Sequence, residues 1–127
     1  MTKDFINIAD AELEIMKAVW KAKKAVTSSE IGEEVENKGW KRTTIATFLS
    51  RLVDKGVLKA DKQGKTFYYT PLISAAEYKK SQAKNLIKNV FDGSAHDLIV
   101  SLFEEKALSG DDIKELKAVF DDWEEEK

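Results

Sequence analysis

Three observations predict a mainly α fold of six helices, interrupted once by a β-hairpin. Apolar residues keep a 3.6-residue period over most of the chain. The period falls to 2 only between Val57 and Thr70, around a turn that contains Gly64. Gly39, Gly56, Gly93 and the single proline, Pro71, fall between the periodic stretches. At 127 residues, 43% hydrophobic and 35% charged, the chain is expected to form one ordinary domain or a small domain with an appendage.

The first helix is expected from Asp10 to Lys23, where Leu13, Met16 and Trp20 form a stripe widened by Ile15 and Val19. Thr27 with Glu30 fits a capping box for the second, whose buried face is Ile31 and Val35 and whose end is Gly39. The third covers 43–55, with Ile45, Phe48, Leu49 and Leu52 inward and Gly56 as its stop. "VLKAD" and "TFYYT" are then two strand-like runs around the turn "KQGK", closed by Pro71. Ser74 with Glu77, Ser94 with Asp97, and Ser109 cap three further helices. Three helices and a hairpin make an α+β winged helix-turn-helix over 1–73, leaving an all-helical piece over 74–127.

That second piece is too small to build a core alone, and dimerisation would bury its stripes. Ile113, Leu116, Phe120 and Trp123 follow a 3-4-3 spacing, joined by Leu98, Ile99, Leu102 and Phe103 on the preceding helix. These eight residues are the predicted dimerisation surface of a homodimer.

The net charge of −2 conceals an asymmetry. Residues 1–73 hold 13 basic against 10 acidic side chains, residues 74–127 hold 8 against 13, and 41–65 hold 7 against 2. A local positive field steers a polyanion whatever the total charge. The outer face of the third helix points the same way. Solvated helix faces usually fill with Glu and Lys, but this one shows Thr43, Ala46, Thr47, Ser50 and Arg51, and Thr44 joins them as a candidate DNA contact. A face lying in the major groove must be free of carboxylates and low in relief. Thr offers a hydroxyl and a methyl group to bases, and Arg pairs with guanine. Lys41 and Arg42 at the helix start, Lys62 and Lys65 on the hairpin tip, and Ser28 and Ser29 opening the second helix complete the candidate DNA-binding set. The alternative is a winged-helix protein-interaction module without DNA binding, which would scatter acids over these surfaces.

"INIADAELEIMKAVW", "SSEIGEEVENKGWKRTTIATFLSRLVDKGVL" and "KTFYYTPLISAAEY" resemble the penicillinase repressor family of BlaI/MecI/CopY-type transcriptional repressors. The resemblance covers nearly the whole chain and is most specific from Trp40 to Leu58. It implies a transcriptional repressor that binds palindromic double-stranded operator DNA as a homodimer and controls a resistance or stress gene. Departures from the family pattern fall on functional positions. Family members often have Ser-Pro-Lys where this chain has Lys41, Arg42 and Thr43, and a basic residue at Ala46, so a different base preference is expected. The copper-responsive branch ends in Cys-x-Cys motifs, whereas this chain has no cysteine, which excludes a metal-thiolate sensor. Where the β-lactam branch is cleaved at an Asn-Phe bond, the matching positions read Ser101-Leu102. The operator sequence, the regulated gene, the inducing signal and any sensor or protease partner are not written in the chain.

No catalytic constellation, metal site or cofactor motif stands out, and an enzyme is not expected. His96 has no partners at a fixed spacing, and the acidic runs near 111–112, 121–122 and 124–126 lack the glycine and alternating ligands of a calcium loop. With no apolar run near 20 residues and no leader pattern, a cytoplasmic protein without a membrane partner is expected.

Overall fold

The computed structural model describes residues 7–126, and side chains as far as Asp122. Its elements are α1 (Asp10–Ala22), α2 (Ser28–Glu34), a 3₁₀ turn (Glu36–Lys38), α3 (Arg42–Asp54), β1 (Leu58–Gln63), β2 (Thr66–Pro71), α4 (Ala75–Asn89), α5 (Ala95–Glu104) and α6 (Gly110–Glu126). The chain divides into two compact units between Ala83 and Lys84.

In the first unit, α1, α2 with Val35 just past its end, and α3 bury Ile15, Met16, Val19, Ile31, Val35, Ile45, Leu49 and Leu52 against Val57, Leu58 and Ile73. β1 and β2 pair antiparallel from Leu58↔Pro71 to Gln63↔Thr66. Only Gly64 and Lys65 remain as the loop, and Gly64 takes φ 64°, which the first position of a tight type II′ turn demands. The strands are therefore longer than the sequence suggested, and Lys62 sits on β1 rather than on the tip. A third segment joins the sheet. Val26, in the loop before α2, exchanges both backbone hydrogen bonds with Tyr69, at 3.0 and 2.7 Å. Nothing in the period of residues 23–27 announced it, because a single bridge has no alternation to read.

The termini follow local chemistry. Thr27 and Glu30 close their capping box at 2.9 and 3.2 Å, and Ser74 with Glu77 closes another at 2.8 and 3.0 Å. α2 stops at Glu34, short of the expected Gly39. Val35, buried in the core, takes φ −103° and ψ 20°, and the chain tightens into the 3₁₀ turn before Gly39 ends it in the left-handed region. α3 ends in a Schellman motif: Gly56 N–H donates to Val53 O at 3.0 Å and Val57 N–H to Leu52 O at 3.1 Å. Val57 and Leu52, joined by the longer of these two bonds, are both fully buried.

The first unit extends ten residues past the expected 73/74 boundary, to Ala83. Trp20 is the reason. Its indole N–H donates to Ile73 O at 2.9 Å, and its ring lies 5.9 Å from that of Tyr78, which is buried on the first turns of α4.

The second unit holds the rest of α4 with α5 and α6. Asp97 N–H donates to Ser94 Oγ at 3.0 Å, and Ser109 and Asp112 cap each other at 2.9 and 3.0 Å. None of its described side chains is buried. Leu98 and Leu102 are half-buried, while Ile99, Phe103, Ile113, Leu116 and Phe120 are exposed. Trp123 lies outside the described side chains.

Glu12 is the one charged residue buried in the described core, at 2% exposure. Ala9, the N-cap of α1, has no side-chain acceptor, so Glu12 reaches back to Ala9 N–H at 3.0 Å and also accepts from Lys55 Nζ at the end of α3. Burial alone would raise its pKa. The hydrogen bonds from Lys55 and Ala9 and the charges of Lys55 and Arg51 outweigh this and hold the carboxyl below the ordinary glutamate value. Between the folded and unfolded pKa values the unfolded state binds more protons, so stability rises with pH there. The contribution is complete above the ordinary glutamate pKa and is lost as the pH falls through the folded one. Glu12→Gln is expected to cost about 1–3 kcal/mol at neutral pH and much less in acid. Urea unfolding of both proteins at neutral and acid pH checks this; an equal deficit at both would show that charge plays no part.

Candidate nucleic-acid interface

The core fixes which face of α3 is outward. Ile45, Leu49 and Leu52 are buried, and Trp40 packs edge-on against Phe48 with ring centroids 5.1 Å apart, setting the entry of the chain into the helix. Lys41 is the N-cap, and its extended backbone turns the segment into the first helical residue, Arg42. Lys41, Arg42, Thr43, Ala46, Thr47, Ser50 and Arg51 are all exposed. Thr44 departs from the expected set, being half-buried at the edge of the face.

From Arg42 to Val53 the helix bears no carboxylate; Asp54 in its last turn is the first. The hydroxyl of Thr47 donates to Thr43 O at 3.0 Å. With its proton so used, Thr47 presents a methyl group and an oxygen lone pair outward. Arg51 is in the last turn, where its charge also reaches Glu12.

Two grooves border this face. On one side Ser28 and Ser29, both exposed, share a cleft of about 320 Å³ with Gly32, Trp40, Arg42 and Ile45, so α2 and the start of α3 converge there. Glu33 and Glu36 also line it, which sequence reasoning missed; they set an acidic limit to the cationic surface. On the other side Ala46, Ser50, Val53 and Asp54 of α3 form a groove of about 210 Å³ with Ala60, Phe67 and Tyr69 of the hairpin, Asp54 being its one carboxylate. The sheet register brings this about. Ala60↔Tyr69 and Lys62↔Phe67 are cross-strand pairs, so these four residues share one face of the hairpin. Lys62 and Lys65 are exposed, and the Lys62 ammonium lies 5.7 Å from the centre of the Phe67 ring. Phe67 is 46% exposed, which could not be read from the chain because a run of aromatics such as Phe67, Tyr68 and Tyr69 is ordinary strand composition.

Chemically, the surface joins a smooth hydroxyl- and methyl-bearing helix to flanking cations. His96 stands apart in α5, exposed, with Asp97 Oδ1 3.5 Å from its Nδ1.

The family model described as penicillinase repressor matches residues 8–122. The penicillinase repressor of Bacillus licheniformis is 33% identical over 120 residues, covering 94% of each chain. The methicillin resistance regulatory protein MecI of Staphylococcus aureus strain N315 is 34% identical over 114 residues, covering 89% of this chain and 92% of its own. Among solved structures, the DNA-binding domain of the repressor BlaI superposes with a TM-score of 0.53 at 40% identity, over 58% of this chain and 90% of that one. These relatives are regulators rather than enzymes. The chain belongs to the penicillinase repressor family.

Proposed function

We propose that the protein is a transcriptional repressor that binds palindromic operator DNA as a homodimer and controls a resistance or stress gene. The observation that supports this most directly is the outer face of α3, exposed and free of carboxylate from Arg42 to Val53, with cations at its start and along the hairpin. A protein-interaction module has no need to keep acids off that face. The relatives named as repressors and the solved DNA-binding domain at 40% identity support the same reading. In this reading α3 enters the major groove, Thr43, Ala46, Thr47 and Ser50 meet base edges, and the lysines meet phosphate. No helix among the described residues is long and apolar enough to cross a membrane, in keeping with a cytoplasmic site of action.

The homodimer reading rests on the second unit. Phe103 at 48% and Phe120 at 63% exposure leave apolar surface that a second copy would cover. Leu86 on α4, Val90 just after it, Val100 on α5 and Val119 on α6 are further exposed apolar residues beyond the eight the sequence singled out. Each large side chain buried is worth about 1.5–3 kcal/mol. A two-fold axis would also present two α3 helices to half-sites about one helical turn apart.

Arg51→Ala should lose about 1–3 kcal/mol of affinity for a duplex selected by the protein from a random pool, and Thr47→Ala less, with melting curves unchanged. Unchanged binding by both would remove the assignment of this face. Replacing Lys62 or Lys65 by Met should weaken all sequences alike and flatten the salt slope by about one unit for each phosphate no longer neutralised. Loss of sequence preference at constant slope would make the hairpin a base reader instead. Sedimentation should find a dimer at micromolar concentration and a monomer after truncation at Gly93, with weaker binding. A full-length monomer that binds no better than the truncated form would end the two-fold reading.

A further inference from the structure

We infer that Phe67 is a positioning residue for DNA binding, its ring holding the Lys62 ammonium at the mouth of the groove between α3 and the hairpin. The inference rests on the DNA-binding reading of α3 and the hairpin.

Lys62 and Phe67 are directly paired across β1 and β2, next to the pair that closes the turn. Both stand on the hairpin face that turns toward Ala46 and Ser50 of α3. The ammonium lies 5.7 Å from the ring centroid, within the range of a cation–π interaction. Lys59, on the opposite face of the hairpin, has instead a carboxylate for a neighbour, 3.7 Å away on Asp61.

Free lysine side chains sample many rotamers, and ordering one on binding opposes association. A ring that already favours one position removes part of that cost and sets which phosphate the charge meets. Apart from lining the groove beside α3, the ring joins no buried cluster among the described residues. It is 46% exposed and lies outside the buried core, whereas Tyr69, two residues on, packs against that core.

The test is a double-mutant cycle on the full-length protein, read by anisotropy of a fluorescein-labelled duplex of mixed sequence across a salt series. F67L keeps an apolar residue of similar bulk and removes the ring; F67Y keeps the ring. F67L is expected to weaken binding about two- to five-fold for each hairpin engaged and to move the salt slope toward that of K62M. F67Y should match the wild type, and F67L/K62M should bind no worse than K62M alone. Additive losses would mean that Phe67 touches DNA itself or merely braces the hairpin, and would overturn the inference; so would an F67L protein that binds like the wild type. K62R supplies an arm that leaves the Phe67 side chain untouched. A guanidinium also stacks on an aromatic face, so K62R should bind about two- to five-fold more weakly in the F67L background than with Phe67 present; equal affinity in both overturns the inference. Failure of the underlying reading is distinguishable, because wild-type protein would then show no salt-dependent binding of the duplex before any variant was made.

Discussion

One buried carboxylate governs how the first unit presents its surface. Glu12 stands at the start of α1 and Lys55 at the end of α3, 43 residues apart in sequence and joined by an ion pair. Burying a charge is costly unless it is paired and hydrogen-bonded, and removing one partner leaves that cost uncompensated. Glu12 meets the condition twice, through Lys55 and through Ala9 N–H. Lys55 is followed at once by Gly56 and Val57, whose backbone bonds close α3 and root the hairpin. A single pair therefore fixes the start of α1, the end of α3 and the base of β1. An error in any of these positions would leave an unpaired charge in the core.

With that end fixed, the outward face of α3 is decided by what the other faces do. Ile45, Leu49 and Leu52 are committed to the core, and Trp40 against Phe48 fixes the N-terminal approach. What remains outward is the strip of small side chains from Thr43 to Arg51. The hairpin is held beside it by the Val26–Tyr69 bridge, which ties the sheet to the loop ahead of α2. The cations on the hairpin and the face of α3 are thus parts of one packed unit, and the backbone of that unit sets their spacing.

The two units illustrate different ways of meeting the same requirement. The first closes a core around three helices and a sheet. The second leaves every described side chain at least partly in water, because a few helices enclose too little volume to bury both sides of an amphipathic stripe. Its capping serines define where the helices begin, yet capping is worth only about 1 kcal/mol for each helix and does not substitute for burial.

The elements and their local chemistry were legible in the chain alone. Helix starts could be read because Thr27, Ser74, Ser94 and Ser109 bond to their own next turn. The end of α3 could be read because only a residue tolerant of positive φ fits the position of Gly56, which has φ 78°. The acid-free face of α3 was visible because helical periodicity sorts neighbours onto faces without reference to the rest of the chain. Whatever depends on partners distant in sequence had to wait for the closed fold. Folding bridged Val26 to the sheet, drew Tyr78 into the first unit, moved Lys62 from tip to strand beside Phe67, and made Glu12 a core ion pair with Lys55. Local propensity acts over the few residues of a turn, whereas each of these outcomes is set by contacts that exist only once the chain has closed on itself.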